Sequence, residues 1–237
     1  MKITTKKDYQ DFLTNLQQMS AGSEFIEFQK KIVKTQKQII GVRTPLLRKM
    51  AKEIFKCDHS GLFKFGLNDS FEEVLVKGMV LAQYKDCSVA LPLLNDLILD
   101  MDSWAEVDMV CSSLNFVKSD MQKAFDYFSL LAASDKEFVC RFGVVGFMKY
   151  FLSDDCIEKT FASLDKIVCH DYYVEMAVAW LISEVLVKKP QKALENMQKI
   201  KNNHNFSKFA INKGIQKATE SFRIDKPLKD ELRKLKI

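Results

Sequence analysis

Trp104 and Asp108 are the residues whose types and spacing most directly suggest chemistry. They lie four residues apart within residues 103–108, so on a helix both side chains project from one face about one turn apart. An aromatic plane beside an anion can receive a flat, electron-poor group, such as a cationic base or a developing oxocarbenium ion. The alternative is that Trp104 belongs to the core and Asp108 is solvated, and both interpretations stay open at this point.

The elements that must position these side chains are helices. The chain has only 4 prolines and 8 glycines among 237 residues, and its apolar residues recur at helical spacing rather than alternating. One helix is predicted over 103–116 and another over 136–151. A further helix is predicted to begin at Pro45 with Thr44 as its N-cap. Polar residues ahead of apolar runs predict four more N-caps, at Ser70, Ser103, Asp135 and Asp171.

These helices recur at a regular spacing. Similar helices begin near residues 44, 70, 103, 136 and 172, which gives intervals of about 26, 33, 33 and 36 residues. Each interval holds about two helices, which is typical of an α-solenoid of HEAT-like repeats. The sequence therefore predicts an all-α protein, a single HEAT-like domain over residues 1–237 with a concave groove.

The repeat brings two further residues into the same register. Arg141 follows Asp108 by 33 residues, and Trp180 follows Arg141 by 39, each close to one repeat. If their helices line the groove, two indoles, a carboxylate and a guanidinium converge on one cleft. Arg141 in an ion pair between repeats and Trp180 in the solenoid core are the alternatives, and both remain open.

Charge is unevenly distributed along the chain, whose net charge is +5. Residues 188–237 hold 14 Lys and Arg against 5 Asp and Glu, and residues 1–56 hold 12 against 5. Residues 86–135 reverse the balance, with 2 Lys against 9 acids. Basic ends suit a polyanion such as DNA, whereas the alternative is that lysine-rich helices simply face solvent.

Composition excludes several classes of protein. With 47% hydrophobic and 28% charged residues the chain is typical of a folded protein, and no uncharged apolar run is long enough to span a membrane. The N-terminus has no secretory pattern, and the six cysteines are widely spaced among apolar neighbours. Only three histidines are present, one of them His204, and no metal-ligand spacing occurs. We expect a monomeric cytoplasmic protein without metal or cofactor.

Several segments resemble the AlkD-like DNA alkylation repair family. Residues 40–48 (IGVRTPLLR) are similar to its Gly-(Val/Ile)-x-(Thr/Val)-Pro segment, and residues 103–108 (SWAEVD) to its Ser-Trp-Trp-(Asp/Glu)-x-Val-Asp segment. Arg141 and residues 177–180 (AVAW) fall where the family has its arginine and second tryptophan. Residues 209–217 (FAINKGIQK) resemble its basic C-terminal helix. The resemblance covers about residues 38–224.

The resemblance implies hydrolysis of the N-glycosidic bond of cationic N3- or N7-alkylpurines in double-stranded DNA that is damaged or distorted, on a HEAT-like scaffold without a metal. Asp108 would stabilise the oxocarbenium-like sugar and orient water, while Trp104 and Trp180 would hold the nucleotide. Arg141 would contact a phosphate. Three further residues within the matching segments are expected to contact DNA, namely Arg43, Lys213 and Lys217.

Two departures from the family pattern concern function. The family's adjacent Trp-Trp is Trp104-Ala105 here, and the stretch 25–38 has no tyrosine where the family's glycosylases cover the lesion with one. This stretch resembles a subgroup that lacks the lesion-covering helix, unless Phe28 supplies the aromatic ring. The alternative function is therefore a non-catalytic DNA-binding or protein-binding HEAT-like scaffold that has lost base excision.

Overall fold

The structure is a computed structural model that describes residues 1–201 and 206–237, without the side chains at 193, 196 and 198–201. His204 lies outside the described residues. Within them every regular element is helical, with fourteen α-helices and one short 3-10 helix, which confirms the all-α prediction. No helix in the described ranges is long and apolar enough to cross a bilayer.

Backbone contacts group the chain into two compact units, Met1–Met121 and Gln122–Ile237, here called the first and second unit. The first unit contains α1 (Lys6–Gln18), α2 (Ser23–Val33), α3 (Thr44–Phe55), α4 (Ser60–Lys64), α5 (Phe71–Leu81), α6 (Cys87–Leu99), α7 (Trp104–Cys111) and the 3-10 helix Asn115–Ser119. The second contains α8 (Met121–Ala132), α9 (Glu137–Tyr150), α10 (Ile157–Leu164), α11 (Tyr172–Lys188), α12 (Pro190–Lys201), α13 (Lys208–Glu220) and α14 (Lys226–Arg233). The single HEAT-like solenoid domain stays a prediction.

Hydrogen bonds at the helix starts show how local sequence sets these bounds. The Ser70 and Ser103 hydroxyls accept from N–H groups three residues later, at 3.2 and 3.3 Å, so both predicted N-caps are confirmed. Asp171 is also an N-cap, but its side chain makes no capping bond. The cap predicted at Asp135 is wrong, because Lys136 is the N-cap of α9.

Two predicted boundaries shift. The helix at the Thr-Pro pair begins one residue early, since Arg43 is its N-cap and Thr44 its first residue. The helix predicted over 103–116 ends at Cys111. Ser112 is its C-cap, and the Ser112 hydroxyl donates to the Asp108 carbonyl.

Each unit is built around one central helix. In the first unit every residue of α5 is buried, and α5 packs against α3, α6 and α7. In the second, α11 packs against α9, α12 and α13. α8 crosses α9 so closely that a Cβ added at Gly143 would lie 2.4 Å from the Ala132 nitrogen. The helices that carry the candidate residues are therefore rigidly supported within each unit.

A buried carboxylate fixes the loop ahead of α3. Both Glu72 oxygens are used, accepting from the N–H groups of Ile40, Gly41 and Val42 at 2.9, 2.7 and 3.1 Å. Gly41 has φ +85°, and a Cβ there would lie 2.5 Å from Ile26. A glycine is required in this segment because of the left-handed backbone and the close approach of α2.

Candidate functional site

The start of α7 is a capping box that fixes the position of Trp104. The Ser103 hydroxyl accepts from the Glu106 N–H at 3.3 Å, and a Glu106 oxygen accepts from the N–H groups of Asp102 and Ser103 at 2.9 and 3.2 Å. Trp104 is the first residue of the helix, directly inside this box. The backbone at Trp104 is therefore held by the reciprocal hydrogen bonds of Ser103 and Glu106.

The Trp104 indole contacts α2. Its Nε1 donates to the Ile32 carbonyl at 3.1 Å, near the end of that helix, and the side chain is half-buried. The ring helps to line a cavity of about 210 Å³ beneath α2. The other walls of this cavity are mostly apolar side chains of α2, α3, α5 and α7, among them Phe25, Phe28, Ile32, Leu47, Phe71, Leu75 and Met109.

A helix lies ahead of residues 40–48, in the region of the stretch that resembles the subgroup lacking the lesion-covering helix. The absence of the lesion-covering helix itself stays a prediction. α2 spans 11 residues, Ser23–Val33, and begins after Gly22, whose φ of +95° favours glycine. Its Phe28 is 57% exposed and stacks on Phe25, with ring centroids 6.3 Å apart. Two phenylalanines therefore occupy the helix in which the resemblance implies a tyrosine. A role for Phe28 over a lesion stays a prediction.

The C-terminal end of α2 is tied to the start of α7. Asp102 accepts from the Thr35 hydroxyl and the Gln36 N–H, at 2.5 and 2.9 Å. The Lys37 ammonium lies 3.0 Å from Asp102 and 3.3 Å from Glu106. Together with the indole bond to Ile32, these contacts make the position of α2 depend on the same turn that carries Trp104. This set of contacts is called the α2–α7 tether below.

Electrostatics within the tether are unusual because Glu106 is fully buried. Burial raises the pKa of Glu106 to about 7, and the Lys37 ammonium and the Asp102 N–H oppose that rise. The same surroundings lower the pKa of the half-buried Asp102, through its bonds to Thr35, Lys37 and the Gln36 N–H, against the opposing effect of burial. One carboxyl at this site therefore titrates near neutrality.

Asp108 lies one turn beyond Trp104 on the same face of α7 and is half-buried. It is not among the residues that line the cavity beneath α2. Its backbone carbonyl accepts from the Ser112 N–H at 3.2 Å and from the Ser112 hydroxyl. The structure thus confirms the shared helix of Trp104 and Asp108, with the indole lining the cavity.

Arg141 in the second unit has a clear structural role. It is 5% exposed, and its Nη1 donates to the Tyr173 carbonyl of α11 at 2.5 Å. Glu137, one turn earlier on α9, accepts from the Tyr173 N–H at 2.8 Å. Two α9 side chains therefore hold both backbone groups of Tyr173. The phosphate contact assigned to Arg141 stays a prediction.

Trp180 lies in the middle of α11 and is half-buried rather than enclosed in the core. The Lys149 ammonium of α9 lies 5.0 Å from the centroid of its ring, in cation–π contact. The face of this indole therefore accommodates a cation in the folded protein. The sequence did not single out Lys149, although its position eight residues after Arg141 puts both on one face of α9.

The basic residues predicted to bind DNA occupy two places. Arg43 is exposed at the N-cap of α3, with its guanidinium 4.8 Å from the Phe25 ring centroid. Lys213 and Lys217 lie one turn apart on α13 and are partly exposed, with Lys213 donating to Gln216 at 3.2 Å. Arg43 and Trp104 thus both contact α2. The expectation that Trp104, Asp108, Arg141 and Trp180 line one cleft stays a prediction.

Comparison with known proteins decides the family. The family model described as DNA alkylation repair enzyme matches residues 13–218, most of the chain. The chain belongs to the DNA alkylation repair family. A search of curated proteins finds no match.

Membership of the DNA alkylation repair family gives the candidate site a context. It supports a role in DNA repair, with DNA as the partner. The matched range includes the whole α2–α7 tether, Asp108, Arg141 and Trp180, and it ends just after Lys217. Every residue singled out for chemistry therefore lies within the part of the chain that defines the family.

Proposed function

We propose that this protein is a DNA glycosylase that releases cationic N3- or N7-alkylpurines from double-stranded DNA. The observation that carries the proposal is the pairing on α7, where Trp104 borders an aromatic-lined cavity of about 210 Å³ and Asp108 follows one turn later. Membership of the DNA alkylation repair family supports it. In this proposal each unit consists of HEAT-like helix pairs.

The proposed reaction requires little catalytic machinery. An alkylpurinium already carries a positive charge, so its departure needs no general acid. The C1′–N bond breaks, its electron pair neutralises the purine, and water adds to C1′ of the sugar with loss of a proton. The Asp108 carboxylate stabilises the positive charge that develops on the sugar and orients the attacking water.

Aromatic and basic residues bind the DNA. Trp104 contacts the deoxyribose beside the lesion, with Phe28 and Phe25 as neighbouring apolar surface on α2. Trp180, whose ring already accommodates the Lys149 ammonium, provides a second face of the same kind. Arg43, Lys213 and Lys217 contact phosphates, and Arg141 positions the α11 backbone through Tyr173.

The test is release of base from methylated duplex DNA. Purified protein is incubated with DNA treated with a methylating agent, and free 7-methylguanine and 3-methyladenine are measured by chromatography and mass spectrometry. Release above the rate without protein supports the proposal. Tight duplex binding with no release would favour the alternative, a DNA-binding scaffold without excision.

A further inference from the structure

Four aromatic rings form an unbroken row across three helices of the second unit. Phe138 of α9 lies 5.5 Å from Tyr173, Tyr173 lies 5.3 Å from Tyr172, and Tyr172 lies 6.3 Å from Phe209 of α13, all between ring centroids. Each residue belongs to the first turn of its helix. This set is called the aromatic row.

The outer half of the aromatic row is open to solvent. Tyr172 is 62% exposed and Phe209 is 47% exposed. Exposed aromatic rings that contact one another form an apolar surface that a folded protein seldom leaves without a use. The inner half, Phe138 and Tyr173, is only partly exposed and supports the outer pair.

The row is held in place by polar contacts rather than by ring packing alone. Glu137 accepts the Tyr173 N–H and Arg141 donates to the Tyr173 carbonyl, at 2.8 and 2.5 Å. At the other end the Ser207 hydroxyl caps α13, accepting from the Ala210 N–H at 3.0 Å and donating to the buried Glu175 of α11. These contacts fix the backbone at the starts of α11 and α13, and so they fix the positions from which the rings of Tyr172 and Phe209 project.

Basic side chains continue the row along its helices. On α13, Phe209, Lys213 and Lys217 follow at intervals of four residues and share one face. On α11, Tyr172 and Trp180 are eight residues apart and also share a face, where Lys149 covers the indole. Aromatic rings followed by ammonium groups are the composition of surfaces that bind nucleic-acid strands, since bases stack on the rings while phosphates meet the cations.

We propose that Tyr172 and Phe209 are a stacking platform for an unpaired nucleobase of DNA. The ligand is a base displaced from the duplex at or beside a distorted site, and it is recognised by its flat face rather than by its sequence. Lys213 and Lys217 bind the phosphates that follow it along the strand. This inference rests on the proposed function only in requiring DNA as the partner, and it requires no chemistry at Asp108.

The experiment compares two short duplexes of the same sequence, one fully paired and one with a single unpaired 2-aminopurine. Fluorescence anisotropy gives both affinities, and quenching of 2-aminopurine reports stacking directly. We expect the wild-type protein to prefer the unpaired duplex and to quench its fluorescence. We expect Tyr172→Ala with Phe209→Ala to weaken binding of that duplex about tenfold, to remove the quenching, and to change affinity for the paired duplex by less than about twofold.

Two further variants make the result specific. Tyr172→Phe keeps the ring and should retain quenching. Phe222→Ala removes an aromatic side chain that is 95% exposed and belongs to no ring pair within the described residues, so it should change neither affinity. If circular dichroism shows that the double variant is unfolded, the single variant Tyr172→Ala replaces it in the experiment. The Tyr172 side chain is mostly exposed, so its removal should not affect folding. Equal losses on both duplexes, or unchanged quenching, would overturn the platform.

Failure of the platform and failure of the proposed function give different results. Release of methylpurine by a protein that binds the two duplexes equally rules out the platform and leaves the glycosylase. Preference for the unpaired duplex without release of methylpurine leaves the platform and rules out the glycosylase.

Discussion

The two tryptophans of this protein occupy opposite kinds of surroundings. Trp104 begins α7, donates its indole N–H to a backbone carbonyl and borders an apolar cavity, in a stretch where acids outnumber lysines. Trp180 lies in the middle of α11 and has a lysine ammonium 5.0 Å from its ring centroid. The first indole borders a mostly apolar cavity, and the second has a cation against its ring.

This difference matches the two parts of an alkylated DNA substrate. A cationic base and a developing oxocarbenium ion are stabilised by a carboxylate beside an aromatic wall, as at Asp108 and Trp104. A phosphate backbone is attracted by ammonium groups, and the proposal assigns this role to Lys213 and Lys217. In the proposed function the first unit would hold the reacting nucleotide and the second the strand, and the variants below test these two roles separately.

Asp108→Asn should have the largest effect. It removes the negative charge at the reacting sugar but keeps the shape of the side chain, so excision should fall by about a thousandfold or more while duplex affinity changes little. Single-turnover release of methylpurine and anisotropy with duplex DNA measure the two effects. Asp126→Asn on α8, an exposed acid of the second unit, is the matched control and should retain activity. Full activity of Asp108→Asn would remove this carboxylate from the mechanism.

Reversing the charge of two lysines of α13 should weaken DNA binding without unfolding the protein. Lys213→Glu with Lys217→Glu should weaken duplex binding by about tenfold to a hundredfold near physiological salt, and the slope of log affinity against log salt should fall by about one for each lost phosphate contact. The measurement is anisotropy over a salt series. The control makes the same charge change at the same spacing on α14, in Lys229→Glu with Arg233→Glu. An equal loss in the control would show that net charge matters rather than this face of α13.

The α2–α7 tether should make the first unit sensitive to pH. Because burial raises the pKa of Glu106 from 4.5 to about 7, the folded protein binds this proton more tightly than the unfolded chain does. The stability gained is complete below about pH 4.5 and is lost as pH rises through about 7. Urea unfolding should show a decline on the order of 2 kcal/mol over this interval, and Glu106→Gln should flatten it. An unchanged pH profile in Glu106→Gln would contradict this assignment.

Many helix positions in this structure could be predicted from local sequence. The helix at Trp104 was predicted from Ser103 and the apolar residues after it, because a capping box depends on residues three apart. The predicted repeat interval placed Arg141 and Trp180 on separate helices, and these helices, α9 and α11, pack together. Spacing was informative here because each feature involves residues on one helix or on helices close together in the sequence.

The tether was not predicted, because its partners are distant in sequence. Trp104 bonds to Ile32 and Asp102 bonds to Gln36, each through a backbone group that carries no sequence signature. The stretch 25–38 resembles a subgroup that lacks the lesion-covering helix because it has no tyrosine and looks short. The helix α2, which begins in this region after Gly22, has no side-chain cap hydrogen bond, so its start carries little local sequence signal. Contacts with the rest of the first unit stabilise such a helix, and a single sequence does not show them.

The smallest predicted effect concerns the contact between Lys149 and Trp180. Lys149→Met keeps the length of the side chain but removes the cation over the ring, and it should cost about 0.5–1 kcal/mol of stability because Lys149 is exposed. Lys149→Arg keeps a cation and should retain stability. Urea unfolding measures both variants, and the tryptophan emission of a Trp104→Phe background reports on Trp180 alone. A shift in that emission in Lys149→Met but not in Lys149→Arg would show that the ring face holds a cation in solution. Identical spectra and stabilities in both variants would contradict a contribution of this cation–π contact in solution.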